Sequence, residues 1–255
     1  MVNPEFIIIK PSNWKTLMFF EKIKYYGLCL NQNYSKYVDK INAKEIVKEI
    51  CGENVKVAKI LKILKHPHDI CFNELADECI IKSSHGSSWN IPIKKRNINY
   101  TNMLEIRKKL NSWNRVYSTN EKQYMFIKPR FFIEETIDDK YYGKTGNALV
   151  YMVRCIHGKA ITISPYLKNE KKISNYDINW NLICKNELPH IEKPKNIDKM
   201  INCAELLSRP FEFVRIDFYI DKNDDLYFSE YTFTPNAGEM VFTKELEKIL
   251  DNSWI

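Results

Sequence analysis

A chain of 255 residues with 44% hydrophobic and 13% aromatic side chains can bury enough apolar surface for one large domain or two closely packed ones, which excludes global disorder. A formal charge of +7 favours anionic partners such as nucleotides, nucleic acid, acidic sugars or anionic lipid without choosing among them, and a general excess of Lys, Asn and Ile accounts for it equally well. The seven cysteines (Cys29, Cys51, Cys71, Cys79, Cys155, Cys184 and Cys203) are scattered and never spaced C-x-x-C, so neither a disulfide framework nor a zinc ribbon is expected. No charged-then-apolar leader pattern opens the chain, and no apolar run approaches a membrane span. A protein of the reducing cytoplasm is expected.

The first stretch, 6–26, ends in LMFFEKIKYY, where Phe19, Phe20, Ile23 and Tyr26 fall near one helical face. Ala43, Ile46, Val47 and Ile50 recur at helical spacing over 42–50, with Gly52 as the stop. ECIIK (78–82) reads as a short buried strand. It runs through the small-residue loop 83–88 into a second strand, 90–94. Met103, Ile106, Leu110 and Trp113 form one stripe of a helix over 101–113. Segments 125–128 and 131–135 are strand-like around Pro129, and 148–156 and 160–163 flank a His157-Gly158 turn as a hairpin. Residues 168–196 are polar and Asn-rich, so a long surface connection is expected there. An amphipathic helix over 197–207 precedes a hairpin of 213–220 and 226–233. Strands joined by hairpins and mixed with helices indicate an α+β fold with antiparallel sheets, not a doubly wound parallel one.

Three places hold side chains suited to chemistry. In the last hairpin, alternation puts Arg215 and Asp217 on one face of their strand, and Glu230 and Thr232 on one face of theirs. If the strands pair, the four converge. Carboxylates from neighbouring strands suit Mg²⁺, which keeps waters and bridges to phosphates, and an adjacent Arg can grip phosphate oxygens. The alternation by itself fits a solvent-facing edge hairpin as well. The second place is Lys82 with Ser83, Ser84, His85, Gly86, Ser87 and Ser88. A lysine at a strand end followed by small hydroxylated residues can close over phosphates. The loop lacks both the Walker spacing and G-x-G-x-x-G, and a plain strand–loop–strand unit also explains it. The third is RFFIEETIDD, where Glu134 and Glu135 must point to opposite faces of a strand. One can then face a pocket as an acceptor for an exocyclic amine, although a charged strand end reads the same way. The histidines are dispersed without metal-ligand spacing, and no nucleic-acid recognition motif accompanies the positive charge.

The order of these pieces is more specific than any one of them. Asp39-Lys40 opens a helix, Lys82 ends a strand before HGSSWN, IEETI follows, then R-x-D, then E-x-T-x-x-P. From Trp14–Tyr25 through YVDKINAKEIVKEICGE, IIKSSHGSSWNI, YDINWNL, IEKPKNIDKM and FEFVRIDFY to YFSEYTFTPNAG, the chain resembles the TupA-like ATP-grasp proteins associated with cell-surface polysaccharides. The resemblance implies an ATP-grasp fold with the nucleotide between two antiparallel sheets and flanking helices. It divides the chain into an N-terminal region (1–75), a lid subdomain (76–136) and a C-terminal subdomain with the metal site (137–255).

The resemblance also assigns roles. Lys40 and Lys82 contact the phosphates of ATP, and Ser83 to Ser88 form a flexible phosphate lid. Glu134, with the backbone through Glu135, Thr136 and Ile137, binds adenine. Asp217, Glu230 and Thr232 hold Mg²⁺, and Arg215 steadies the transferring phosphoryl group together with Lys82. Thr232 stands where the superfamily usually has Asn. Val150, Tyr151 and Met152 align with an Asp-Tyr-Lys run of relatives, so the ribose carboxylate has no match. The implied chemistry joins a carboxylate, on a sugar or glycan, to an amine or amino acid. A kinase on the same scaffold and a non-catalytic nucleotide- or glycan-binding module are the alternatives.

Overall fold

The computed structural model describes residues 2–114, 121–143, 148–184, 187–188, 191–239 and 242–255. The expected connection over 168–196 is thus described only in part, and His190 lies outside the described residues. In chain order, helices α1 (Phe19–Cys29), α2 (Ser35–Val38) and α3 (Asn42–Cys51) lead into β1 (Lys56–Val57) and β2 (Ile60–Leu64). They are followed by β3 (Glu78–Ser83), β4 (Asn90–Lys94), α4 (Tyr100–Trp113) and β5 (Phe131–Glu135). The C-terminal half holds β6 (Val150–Ile156), β7 (Lys159–Leu167), β8 (Lys172–Ile173), β9 (Tyr176–Asp177), α5 (Ile197–Ser208), β10 (Phe213–Ile220), β11 (Leu226–Thr232) and α6 (Lys244–Ser253).

The strands form two sheets. The larger runs β1-β11-β10-β6-β7-β8, with β9 also on β7; the smaller runs β2-β5-β3-β4. All pairings are antiparallel except the two-residue β1, which runs parallel to β11. The expectation of antiparallel sheets therefore holds with one short parallel edge.

Alternation gives the small sheet two unlike faces. Cys79 and Ile81 of β3, Ile93 of β4, and Phe131 and Ile133 of β5 pack with Ile106 and Leu110 of α4 into a separate core. The opposite face carries Ile80, Lys82, Phe132 and Glu134 into a cleft shared with the large sheet. On the large sheet, Tyr151, Val153, Cys155, Val214, Ile216 and Phe218 enter the main core with Cys203, Ala204 and Leu207 of α5. Their alternate neighbours Val150, Met152, Arg215, Asp217 and Tyr219 line the cleft.

Three expectations change. The segment 125–128 is not a strand: Met125 N donates to Lys122 O at 3.0 Å and Ile127 N to Tyr124 O at 3.1 Å, so the backbone makes successive tight turns that bury Tyr124 and Ile127 in the main core. The small sheet takes β2 from upstream of residue 76, since Ile60, Lys62, Ile63 and Leu64 pair with β5. The boundary drawn at 75/76 therefore cuts through a sheet. Within 168–196, Ser174, Asn175, Tyr176, Leu188 and Ile191 are buried, so this segment is partly internal and supplies two strands.

Candidate functional site

The β10–β11 register sets the first part of the site. Arg215 is opposite Thr232, and Asp217 is opposite Glu230, so the four side chains do converge on one patch of sheet. Arg215 grips Asp217 with two hydrogen bonds, Nε to Oδ1 at 2.7 Å and Nη2 to Oδ2 at 2.6 Å, and Nη2 also reaches Thr232 Oγ1 at 3.2 Å. Burial pushes the Asp217 carboxyl up to about 6, against the pull of the Arg215 guanidinium. Glu230 makes no hydrogen bond or ion pair among the described residues, which leaves its oxygens to an external partner.

Three lysines approach from the other side. Lys82, at the end of β3, forms an ion pair with Glu134 Oε1, and Lys44 of α3 pairs with Glu134 Oε2 at 2.9 Å. Desolvation works against the Lys82 charge, but Glu134 outweighs it and the ammonium is held above its ordinary value. The same two cations keep the Glu134 carboxyl below its ordinary value despite burial. Lys40 donates to the Gly86 carbonyl and lies 5.7 Å from the centre of the Tyr124 ring. Burial, reinforced by Lys82 and opposed by Glu230, lowers its pKa. A half-buried cation that lacks a carboxylate partner gains from an anionic ligand. Lys44 was not singled out in the sequence, although its spacing of four from Lys40 is the signal that could have found it.

The 83–88 loop does not behave as a unit. Ser83, Ser84 and His85 are fully buried and, with Gly86, lie off the cleft. Ser83 N donates to Trp89 O at 3.0 Å, Ser84 N to Arg130 O at 2.9 Å, and Lys40 N to Ser84 O at 3.3 Å. The His85 ring bridges Ser83 Oγ (2.7 Å from Nδ1) and the Trp113 carbonyl (2.9 Å from Nε2). Gly86 is required by close approach, since a Cβ there would meet the Trp89 ring at 2.4 Å. Backbone ties and ring packing thus use up the first four residues. Only Ser87 and Ser88, both exposed, line the cleft, with Ser88 accepting from Lys168 Nζ at 3.1 Å.

The cleft encloses about 670 Å³. Glu135, Thr136 and Ile137 continue its wall past β5, with the Glu135 carboxylate fixed by Lys59 N at 2.8 Å. Ile80, Phe132, Val150 and Met152 supply apolar surface on both sheets, enough to hold a flat heterocycle. Val150 and Met152 stand where an acidic and a basic residue were sought, so no carboxylate enters the cleft from β6. The donor set matches a metal that takes two carboxylates and completes its shell from phosphate and water. Among the described residues no cluster of three His, Cys, Asp or Glu forms an all-protein metal cage.

Two sheets clasping a polar cleft, with R-x-D and E-x-T on one and lysines facing them, coincide with a family match. The TupA-like ATPgrasp model matches residues 21–255. The chain belongs to that family. Its α+β architecture is the ATP-grasp fold. Solved structures agree at the level of fold. A crystal structure of the ADP complex of N5-carboxyaminoimidazole ribonucleotide synthetase matches with a TM-score of 0.53 and 13% identity over 82% of this chain and 48% of that one. The D-alanine-D-alanine ligase from Coxiella burnetii gives 0.52 and 13% over 87% and 54%. An L-amino acid ligase from Bacillus licheniformis gives 0.52 and 12% over 93% and 56%. The chain spans about half the length of these structures. No curated protein matches the sequence. No helix among the described residues is long and apolar enough to cross a membrane.

Proposed function

We propose that this chain binds ATP with Mg²⁺ in the cleft and activates a carboxylate for amide formation, as a carbon–nitrogen ligase of the cytoplasm. The observation that carries the reading is the register that sets Asp217 beside Glu230 and Arg215 beside Thr232, in one cleft with Lys40, Lys44 and Lys82. Adenine packs between Ile80 and Phe132 on one side and Val150 and Met152 on the other, with Thr136 and Ile137 at its edge. Because Lys44 and Lys82 occupy the Glu134 carboxylate, its role is to orient the two ammonium groups toward the phosphates. Asp217, Glu230 and Thr232 would hold Mg²⁺, which supplies charge neutralisation for phosphoryl transfer. Arg215 is positioned to stabilise the transferring group, since its guanidinium is already fixed by Asp217.

The reaction needs no protein nucleophile. A substrate carboxylate oxygen attacks the γ-phosphorus, the bond to the β–γ bridging oxygen breaks, and ADP leaves. The amine then attacks the acyl carbon, the carbon–oxygen bond to phosphate breaks, and the amine gives up a proton as the amide forms. The family resemblance favours a carboxylate carried by a sugar or glycan, with an amine or amino acid as second substrate.

Calorimetric titration with a non-hydrolysable ATP analogue and Mg²⁺ tests the nucleotide site. Wild-type protein should bind, and Asp217→Asn should lose Mg²⁺-dependent binding by about 100-fold or more, a loss of roughly 3 kcal/mol. Incubation with ATP, uronic acids and amino acids should release ADP and free phosphate. Phosphate retained on the product would indicate a kinase instead, and absence of nucleotide binding would overturn the reading.

A further inference from the structure

Beyond the metal pair, the large sheet carries a second polar row on its cleft face. Strand register aligns Thr232 of β11, Arg215 of β10, Arg154 of β6 and Thr162 of β7. We propose that Arg154, with Arg215 and the Thr162 hydroxyl, forms an oxyanion subsite that receives the carboxylate of the acceptor substrate. The inference rests on the reading of the neighbouring cleft as an ATP site, and it names the residues that would hold the group to be phosphorylated.

Arg154 is 1% exposed, yet forms no ion pair among the described residues. Among the described residues its one hydrogen bond runs from Nη1 to Ser164 Oγ at 2.5 Å. Ser164 Oγ in turn donates to Asn175 Oδ1 at 2.6 Å, and Asn175 Nδ2 to Cys184 Sγ at 3.4 Å. This directional chain commits the Ser164 proton to Asn175 and leaves a lone pair for Arg154, so the guanidinium is held by one corner. Phe242 covers one face of it, with 5.5 Å from Cζ to the ring centre. The Nε–Nη2 edge makes no hydrogen bond among the described residues, and Nε is buried.

Thr162, directly opposite Arg154 in the register, is fully buried and its Oγ1 likewise has no partner among the described residues. Two adjacent buried polar groups with no acceptor are costly to a folded chain, and natural proteins rarely keep them without a use. Asp217 is gripped by Arg215 through both oxygens and makes no hydrogen bond to Arg154 among the described residues. Desolvation, with repulsion from Arg215, pushes the Arg154 guanidinium down to about 9, as befits a cation awaiting its counter-ion.

The free edge selects the ligand. An Nε–Nη2 pair is a planar fork that matches the two oxygens of a carboxylate. Arg215 lies one strand away, about 5 Å, so a carboxylate held by Arg154 sits next to the arginine assigned to the transferring phosphoryl group.

The test uses acetate as probe and sodium chloride at equal ionic strength as control, read by thermal denaturation with and without the ATP analogue and Mg²⁺. Acetate should raise the midpoint of the wild-type protein beyond the chloride control. Arg154→Met should weaken the acetate response at least tenfold and keep the nucleotide response, and Thr162→Val should weaken it in part. If Arg154→Met does not fold, Arg154→Lys retains the charge without the fork and should also lose the response. Equal acetate responses in wild type and variants, or none in the wild type, would overturn the proposal. Loss of the nucleotide response alone would count against the ATP site and leave the acetate result readable.

Discussion

Single side chains in this protein are tuned mainly by burial and by the partner that burial forces on them. Glu134 shows the effect: placed in a cleft wall and almost fully buried, it stays ionised because Lys44 and Lys82 flank it. Removing either kind of partner would strand a charge, which is why the three act as a unit. His85 illustrates the opposite case. Desolvation lowers its pKa beneath the ordinary value, offset only in part by the Trp113 carbonyl. The folded protein therefore resists protonating it, while the unfolded chain takes up a proton near pH 6.5. Its contribution to stability is complete above that pH and is lost as pH falls toward the depressed folded value. The thermal midpoint of the wild type should drop more steeply between pH 7 and pH 5 than that of His85→Gln. Equal slopes would remove His85 from the account, since His157, whose pKa burial also lowers, is present in both.

At the level of elements, the hairpins carry the precision of the site. The β6–β7 turn has His157 at φ 49° and Gly158 at φ 74°, the left-handed pair that fits strand twist in a two-residue turn. A Cβ on Gly158 would also lie 3.0 Å from the Arg209 Cα, backbone that cannot swing aside. Gly158→Ala should destabilise the fold by about 1–3 kcal/mol in urea titration. Because β6 brings Val150 and Met152 to the cleft, nucleotide affinity of that variant should fall along with stability. A variant as stable as the wild type would show that the turn tolerates a side chain. The strands expected over 90–94, 213–220 and 226–233 were legible from alternation, and those over 78–82 and 131–135 from short apolar runs bounded by polar or turn residues. The strand at 60–64 was not, since ILKIL has little contrast and its outward residues Leu61 and Ile63 are themselves apolar and exposed.

Across the whole molecule, an aromatic cluster ties the ends of the chain to the main core. Trp254 is fully buried against Trp14, Phe19, Tyr26 and Phe213. Its indole donates to Glu212 Oε2 at 3.2 Å, and its carbonyl accepts from Trp14 Nε1 at 3.1 Å. Trp254→Ala should cost about 3–5 kcal/mol through the cavity and the lost indole hydrogen bond to Glu212, measured as a fall in the urea midpoint. The small sheet, with its separate core under α4, should keep its own packing in that variant, and hydrogen exchange would resolve the two. Exchange that accelerates equally in both sheets would show that they unfold as one unit.

The sequence by itself determined which faces of the last hairpin were polar, because a period of two is written directly in R-x-D and E-x-T. It also carried the order of motifs on which the resemblance to the TupA-like ATP-grasp family rests. Only the tertiary structure decided what those faces meet. It brought Lys82 across from the small sheet and Lys40 and Lys44 from the start of α3, turned Ser83, Ser84 and His85 inward, and lined up Arg154 with Arg215. Those outcomes depend on strand register and on loop hydrogen bonds between residues far apart in the chain, and local spacing carries no record of either.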